Sequence, residues 1–167
     1  GVTVFEGRIY VIGGLDNTGA GTQKVFNTLI DADGSLVGGW VEQTFTDLAI
    51  SGELAYTYAY ARANPASATT YPGNLYIFGG CNDINTGVEC DNSSYSSAVY
   101  KCNIESLTGR LEDADANDCD TGSQLQIDVE AGGGNQGLGL HSGAVYANYI
   151  YLIGGFSANT SNRNTVY

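Results

Sequence analysis

Short apolar segments that end in a pair of glycines recur three times along the chain. Each has tyrosine in its second position, as in Ile9-Tyr10-Val11-Ile12, and each follows a turn that is preceded by an aromatic residue. A continuous apolar run predicts a strand covered on both faces. The glycines let the backbone turn sharply and approach a neighbouring element closely. The tyrosines of the three copies are Tyr10, Tyr76 and Tyr151. The glycine pairs are Gly13 and Gly14, Gly79 and Gly80, and Gly154 and Gly155.

A second segment follows each glycine pair and predicts a further strand. It is a valine followed by an aromatic residue, at Val25-Phe26, Val99-Tyr100 and Val166-Tyr167. After the first two copies come turns at 33–36 and 108–111, and then a fourth predicted strand at 40–45 and at about 124–129. Four-strand units that cannot cover both faces alone, repeated in tandem, are typical of a β-propeller. A β-sandwich with coincidental glycine pairs is the alternative.

These segments resemble the blades of the kelch family. Kelch blades carry a Gly-Gly pair at the end of the second strand, an aromatic residue shortly before it and a hydrophobic–aromatic pair in the third strand. The resemblance spans nearly the whole chain and implies an all-β fold of kelch-like β-propeller blades, each of four antiparallel strands, with the propeller incomplete in this chain. The sequence departs from the family in two ways. Its glycine pairs are 66 and 75 residues apart (13 to 79 to 154) instead of about 50, and only the first unit has a late tryptophan, Trp40.

The repeat divides the chain into three units of a single propeller domain, at about 1–50, 51–131 and 132–167. The last unit is incomplete, because the sequence stops within its third predicted strand. A closed propeller needs four to eight blades. We therefore expect the chain to be a fragment of a longer one. Closure of a ring by several copies is the alternative.

The chain is acidic, with a net charge of −12 from 18 acidic and 6 basic residues. Phosphate contacts need clustered lysine and arginine, so this balance argues against a nucleic-acid partner and against docking on anionic lipid. No apolar run approaches the length of a membrane span. The composition fits a soluble extracellular or cell-surface protein, and the charge itself has the plain explanation of solubility.

The four cysteines, Cys81, Cys90, Cys102 and Cys119, all lie in the second unit. They lack C-x-x-C spacing and the single histidine is distant, which argues against zinc. Their even number in one unit predicts disulfides. Of the three pairings, we favour Cys81–Cys90 and Cys102–Cys119, each closing an expanded loop. Four reduced thiols in a cytosolic protein are the alternative.

Two kinds of candidate site lie in predicted loops. Asn92 and Asn159 begin N-glycosylation sequons. Asp113, Asp115 and Asn117 copy the first three ligands of an EF-hand loop, but the glycine and the final glutamate of that loop are missing. They are weak candidates for binding Ca²⁺, and a solvated acidic loop is the plainer interpretation. The segment 31–35 also looks calcium-like, but its equivalent in the second unit has no carboxylates, which predicts a turn.

No residue pattern predicts catalysis or a bound cofactor. The lone histidine, His141, has no nucleophile or acid motif nearby and is expected to be structural or merely exposed. We expect a non-enzymatic interaction or structural module whose long loops, at 82–97 and 112–123, contact other proteins or copies of the chain. One alternative is a glycan-binding, lectin-like propeller. Another is the scaffold portion of a secreted enzyme whose active site lies outside this stretch.

Overall fold

The computed structural model of the protein describes residues 1–48, 50, 55–63, 71–81, 95–112, 119, 137–147 and 149–157. Within these residues the fold is all β, as predicted, apart from a short 3₁₀ helix at Thr46–Leu48. The strands in chain order are β1 (Val2–Phe5), β2 (Arg8–Ile12), β3 (Lys24–Ile30), β4 (Leu36–Thr44), β5 (Tyr58–Ala63), β6 (Gly73–Phe78), β7 (Val99–Ile104), β8 (Leu111–Glu112), β9 (Leu138–Gly139), β10 (Ser142–Tyr146), β11 (Tyr149–Ile153) and β12 (Phe156–Ser157).

The first eight strands form two four-stranded antiparallel sheets of the same topology. The orders are β1-β2-β3-β4 and β5-β6-β7-β8, so strands adjacent in sequence are adjacent in each sheet. The predicted four-strand unit is therefore present twice. The first strands of the two sheets, β1 and β5, lie beside each other, as the innermost strands of neighbouring propeller blades do. Closure of a propeller, the kelch assignment and the unit boundaries stay predictions.

The glycine pairs end the second strand of each unit, as predicted. Strands β2, β6 and β11 stop directly before the first glycine of each pair. All six glycines have positive φ, between 56° and 108°, a region that residues with a Cβ rarely enter. A Cβ on Gly79 would also collide with the backbone carbonyl of Leu138. The pair therefore both turns the chain and lets the next unit approach.

The fourth strands begin earlier than the sequence predicts. Strand β4 starts at Leu36 rather than at Trp40, because Gly38 and Gly39 are taken into the strand as a bulge. Both glycines have positive φ, as bulge residues often do. In the second sheet, β8 directly follows the turn at Gly109, and the predicted strand at about 124–129 lies outside the described residues.

The described part of the third unit is the hairpin β10–β11 and the short pair β9–β12. The sequence pattern does not predict β9, because its two residues lie in glycine-rich sequence without alternation. Leu138 of β9 is fully buried, and its carbonyl accepts a hydrogen bond from the Gly80 N–H at 2.8 Å. Strand β9 is thus hydrogen-bonded to the second glycine pair. The predicted third strand of this unit, at 165–167, lies outside the described residues.

Candidate interaction surface

The two faces of each sheet can be defined from its second strand. Side chains alternate across a strand, so Ile9 and Val11 lie on one face, which we name the front face. Tyr10 and Ile12 lie on the other, the back face. Residues paired across the ladder share a face, which extends the assignment to the whole sheet. The equivalent residues are Leu75, Ile77, Ile150 and Leu152 on the front faces and Tyr76, Phe78, Tyr151 and Ile153 on the back faces.

The back face of the first sheet packs on the front face of the second. Tyr10 and Ile12 from the first sheet and Leu75 and Ile77 from the second are all fully buried in one apolar core. Burial of a large aliphatic or aromatic side chain contributes about 1.5–3 kcal/mol, so this core is the main stabilising contact between the sheets. It also contains Val25, Phe45, Tyr100, Cys102, Ile104 and Leu111.

Gln43 of β4 forms two hydrogen bonds across the outer edge of this junction. Its side chain is only 3% exposed. Its Nε2 donates to the Leu111 carbonyl at 2.9 Å, and its Oε1 accepts from the Leu111 N–H at 2.7 Å. One carboxamide therefore satisfies both backbone polar groups of a residue on the edge strand of the second sheet, as a further strand would.

A polar corner beside this contact joins the first sheet to a turn of the second. Arg8 donates to the Asn27 Oδ1 at 3.1 Å and to the Leu107 carbonyl at 3.0 Å. Asn27 in turn donates to the Gly109 carbonyl at 3.2 Å. A Cβ on Gly109 would lie 2.7 Å from the Arg8 Nε and 2.9 Å from the Tyr10 hydroxyl. A side chain at this position would have to displace the end of the Arg8 side chain and the Tyr10 hydroxyl.

The second sheet and the third unit repeat the arrangement. Phe78, on the back face of the second sheet, packs in a separate apolar cluster with Leu138 and with Leu152 of the hairpin's front face. Gly143 lies so close to the Tyr58 ring that a Cβ would collide with it. At both junctions that the structure describes, a back face packs on the front face of the next unit.

The front face of the first sheet is open to solvent. Val2, Val4 and Trp40 are 59%, 57% and 49% exposed, whereas the equivalent face of the second sheet is buried. Val11, Phe26 and Trp40 line an open hollow of about 320 Å³. The rings of Phe26 and Trp40 meet edge to face, with centroids 6.5 Å apart. Contiguous exposed apolar surface of this kind marks interaction sites.

An ion pair borders this apolar area. The Lys24 Nζ lies 2.6 Å from a Glu42 carboxylate oxygen, and both side chains are nearly half exposed. The same ammonium lies 6.0 Å from the centroid of the Phe26 ring. Exposed pairs contribute little to stability, about 0–1 kcal/mol. The pair instead gives the open face a polar rim, a common feature of protein interfaces.

The back face of the hairpin in the third unit is also exposed. Tyr146, Tyr149 and Ile153 are 75%, 68% and 45% exposed, and the rings of Tyr149 and Tyr151 lie 6.5 Å apart. The equivalent residues of the first sheet are Phe5, Arg8 and Ile12, of which Ile12 is fully buried and the other two are partly buried. The described units therefore end in an open front face on one side and an open back face on the other.

A second hollow lies between the second sheet and the hairpin. Its volume is about 220 Å³, and it is lined by Tyr60, Arg62, Tyr76, Val145 and Ile150. Tyr60 and Tyr76 are directly paired across β5 and β6, so both rings lie on the back face of the second sheet. The hollow combines two aromatic side chains with one guanidinium group.

His141 lies in the junction between the second sheet and the third unit. Its ring centroid is 6.3 Å from that of Tyr58, and both ring nitrogens are buried without a hydrogen-bond partner among the described residues. Burial lowers the pKa of His141 from 6.5 to about 4. The imidazole is therefore neutral at pH 7 and packs as part of the junction.

The predicted disulfide between Cys102 and Cys119 is present. Both residues are buried in the core between the two sheets, and the Cys119 N–H donates to the Leu48 carbonyl at 2.8 Å. Cys81 is disulfide-bonded as well. Its predicted partner, Cys90, lies outside the described residues.

The remaining predicted sites lie outside the described residues, with one exception. The sequon residues Asn92 and Asn159, the calcium candidates Asp113, Asp115 and Asn117, and most of the loops 82–97 and 112–123 belong to this group. The exception is the segment 31–35, which is a turn, as predicted. Gly34 has a φ of 86°, and hydrogen bonds from Ser35 hold the pKa of the Asp33 carboxyl below its usual range.

Within the part of the chain that the structure describes, no group of three or more His, Cys, Asp or Glu side chains is placed to hold a metal ion. None of the helical segments in that part is long and apolar enough to cross a membrane. A comparison with protein-family models found no match, and no curated protein matches the sequence.

Sequence reasoning singled out Tyr10, Tyr76 and the glycine pairs, which lie at the junctions, but it singled out neither the open face nor Gln43. Val11 and Phe26 belong to predicted strands, but alternation alone does not tell which of two apolar faces a neighbour covers. The one feature of the sequence that could have indicated the open front face is its only tryptophan, Trp40, which lies on that face. The contact of Gln43 could not be predicted from the sequence, because its partner lies on the edge of a sheet 68 residues further along the chain.

Proposed function

We propose that this chain is a non-enzymatic interaction and structural module, a kelch-type propeller scaffold that binds other proteins or copies of itself outside the cell. One observation carries the proposal: the front face of the first sheet is apolar and open, while the same face of the second sheet is buried. The proposal assigns no catalytic step to this chain.

The composition of the open face supports protein binding. Val2, Val4, Val11, Phe26 and Trp40 form an apolar centre, and the Lys24–Glu42 pair borders it. Aromatic side chains such as Trp40 dominate the energy of protein interfaces, since they bury a large area with few rotatable bonds. The other face of the same sheet supports this surface, because it contributes Tyr10, Ile12 and Val25 to the apolar core.

An extracellular or cell-surface location is part of the proposal. Disulfides persist in oxidising compartments and are rare in the cytosol, and this chain forms at least one. The loops at 82–97 and 112–123, which the two predicted disulfides would hold, remain proposed contact regions in addition to the open face.

Hydroxyl-radical footprinting of native material tests the proposed function. Trp40 and Phe26 are expected to react slowly in the native assembly and several-fold faster in the purified 167-residue chain at high dilution. Leu107, which is 83% exposed on a turn, serves as the internal control and should react equally in both. Equal reactivity of Trp40 in both samples would overturn the proposal, because the open face would then have no partner.

Glycan binding is a second candidate, favoured by the hollow of about 220 Å³ that Tyr60, Arg62 and Tyr76 line. Tyrosine rings stack on sugar rings, and a guanidinium group donates to hydroxyl or carboxylate oxygens. A glycan array tests it. Tyr76→Ala should abolish a detected signal and Tyr76→Phe should retain it, whereas a blank array would reject this candidate.

A further inference from the structure

The hollow between the second sheet and the hairpin β10–β11 has two walls of different chemistry. On the sheet side, Tyr60 and Tyr76 are directly paired across β5 and β6, and Arg62 follows two positions further along β5. On the hairpin side, Val145 and Ile150 are also a direct cross-strand pair. Arg62 and Val145 are exposed, so the hollow opens to solvent. It therefore offers an aromatic wall, an aliphatic wall and one guanidinium group.

Both walls come from parts of the sequence that contain no acidic residue. The chain has 18 aspartates and glutamates and a net charge of −12, yet none of these residues lies in the segments 54–82 and 131–167. These two segments supply all the described side chains that line the hollow. The hollow is thus set apart from the negative charge that dominates the rest of the chain.

Two of the six basic residues lie on the face of the second sheet that lines the hollow. Arg62 is part of the lining. Lys101 of β7 is directly paired with Tyr76 and therefore adds a second cation on the same face. In the row of Arg62 across the sheet, the partners on β6 and β7 are asparagines. The first carboxylate in that row is Glu112 on β8, three strands and about 14 Å away.

We propose that this hollow binds a hexuronate, a sugar ring that carries a carboxylate, as one unit of an acidic glycan. Arg62 donates to the carboxylate in a charge-assisted contact, and the rings of Tyr60 and Tyr76 pack against apolar C–H groups of the sugar. This inference rests on glycan binding, the second candidate in the proposed function, and it names the class of sugar.

Size and charge together favour this ligand over two simpler ones. The volume of about 220 Å³ is below the roughly 300–1,000 Å³ of pockets for drug-sized ligands, so it suits a single sugar ring. A neutral sugar would gain nothing from the positive charge beside the hollow. A small inorganic anion would leave both apolar walls in contact with water. A hexuronate contacts the two walls and the guanidinium group together.

Titration of the purified chain, followed by NMR, tests the proposal with two matched pairs of probes. The acidic probes are the methyl glycosides of galacturonate and glucuronate, and the neutral ones are those of galactose and glucose, which differ from them only at C6. We expect at least one acidic probe to bind about tenfold more tightly than its neutral counterpart. Its binding should weaken as the salt concentration rises, and inorganic sulfate at the same concentration should not displace it.

Three variants separate the contacts of the carboxylate from those of the ring. Arg62→Gln should lower the affinity for the acidic probe about tenfold and leave that for the neutral probe unchanged. Tyr76→Ala should weaken the binding of both probes, whereas Tyr76→Phe should bind both as the wild-type chain does.

Asn17→Asp is the matched control for the change in net charge. It lies in an exposed loop of the first unit, between β2 and β3, and it makes the chain more negative by one charge, as Arg62→Gln does. It should change neither affinity. Thermal unfolding at the wild-type temperature checks that Arg62→Gln and Asn17→Asp keep the fold.

The outcomes separate this inference from the proposed function. Equal affinity for acidic and neutral probes, displacement by sulfate, or normal binding of the acidic probe by Arg62→Gln would overturn the inference. Glycan binding survives if both kinds of probe bind alike and Tyr76→Ala weakens them. If no acidic probe binds, the inference fails, and a blank glycan array then rejects glycan binding as a whole. Protein binding at the open face is judged separately, by the reactivity of Trp40.

Discussion

The side-chain carboxamide of Gln43 pairs with both backbone polar groups of Leu111, 68 residues further along the chain. One amide thereby joins the last strand of one sheet to the last strand of the next. An edge strand normally leaves such groups to water or to another chain. Here the neighbouring sheet satisfies them, so the outer rim of the junction is polar yet dry.

Gln43→Leu should lower the free energy of unfolding by about 2–3 kcal/mol, because it leaves a buried N–H and a buried carbonyl of Leu111 without partners. Urea denaturation at a concentration where the chain is monomeric measures the change. Glu42→Gln, at the adjacent position on the exposed face, is the control and should cost less than about 0.5 kcal/mol. Equal effects of the two substitutions would show that the carboxamide contact contributes nothing to stability.

Gly34 and Gly109 occupy equivalent turns. Comparison of the two distinguishes backbone strain from steric contact as reasons for a glycine. Both have positive φ, 86° and 70°, but a Cβ on Gly34 meets nothing within 4 Å, while one on Gly109 meets Arg8 and Tyr10. Gly34→Ala should cost about 1 kcal/mol, from backbone strain alone.

Gly109→Ala should cost about 2–4 kcal/mol, because displacement of the packed neighbours adds to the same strain. The difference between the melting temperatures of the two variants measures this added cost. A difference of zero would mean that Arg8 and the Tyr10 ring move aside freely.

The repeat predicted the strands better than it predicted the contacts between sheets. The ends of β2, β6 and β11 follow from the glycine pairs, because positive φ at both residues takes the backbone out of the extended conformation. The start of β4 does not follow, because Gly38 and Gly39 also have positive φ yet are held in the ladder as a bulge by β3. The effect of a glycine thus depends on whether a partner strand continues beside it.

The open face could not be predicted for a related reason. In the sequence, Ile9 and Val11 look like Leu75 and Ile77, and all four positions predict burial. Whether such a residue is covered depends on which units precede it, and a single-strand pattern does not contain that information. The equivalence of the two pairs could be predicted, however, because they occupy the same positions in the repeat.

The Cys102–Cys119 disulfide should resist reduction in the folded protein, because both residues are buried between the sheets. Dithiothreitol followed by a thiol-reactive label and peptide mapping should mark these two cysteines only when urea is added. Without reductant, neither should be labelled. Labelling of the untreated native chain would contradict the disulfide and the extracellular location proposed with it.

Removal of the same disulfide should destabilise the fold. The double variant Cys102→Ala/Cys119→Ala should unfold with a free energy lower by about 3 kcal/mol, the value expected for a closed loop of about 15 residues. Wild-type chain that is first unfolded and reduced, then assayed under reducing conditions, should lose at least as much stability, because reduction also breaks the disulfide of Cys81. An unchanged urea midpoint in both samples would show that the loop is equally constrained without the bridge.

His141 should make the stability of the protein depend on pH below neutrality. Burial lowers the pKa of the folded imidazole to about 4, whereas the unfolded imidazole takes up a proton near its ordinary pKa of 6.5. Above pH 6.5 both states are neutral and stability is complete. As the pH falls from 6.5 to about 4, only the unfolded state binds the proton, so the free energy of unfolding decreases by on the order of 3 kcal/mol and then levels off.

Comparison with His141→Phe isolates this effect from the titration of the carboxylates. Phenylalanine retains a ring against Tyr58 but cannot bind a proton, while the acidic residues are the same in both proteins. The stability difference between the variant and the wild type should therefore shift in favour of the variant as the pH falls from 7.5 to 4.5, as measured by urea denaturation at several pH values. A difference that stays constant over this range would mean that the folded protein protonates His141 as readily as the unfolded chain does, and that the ring is not buried in this junction.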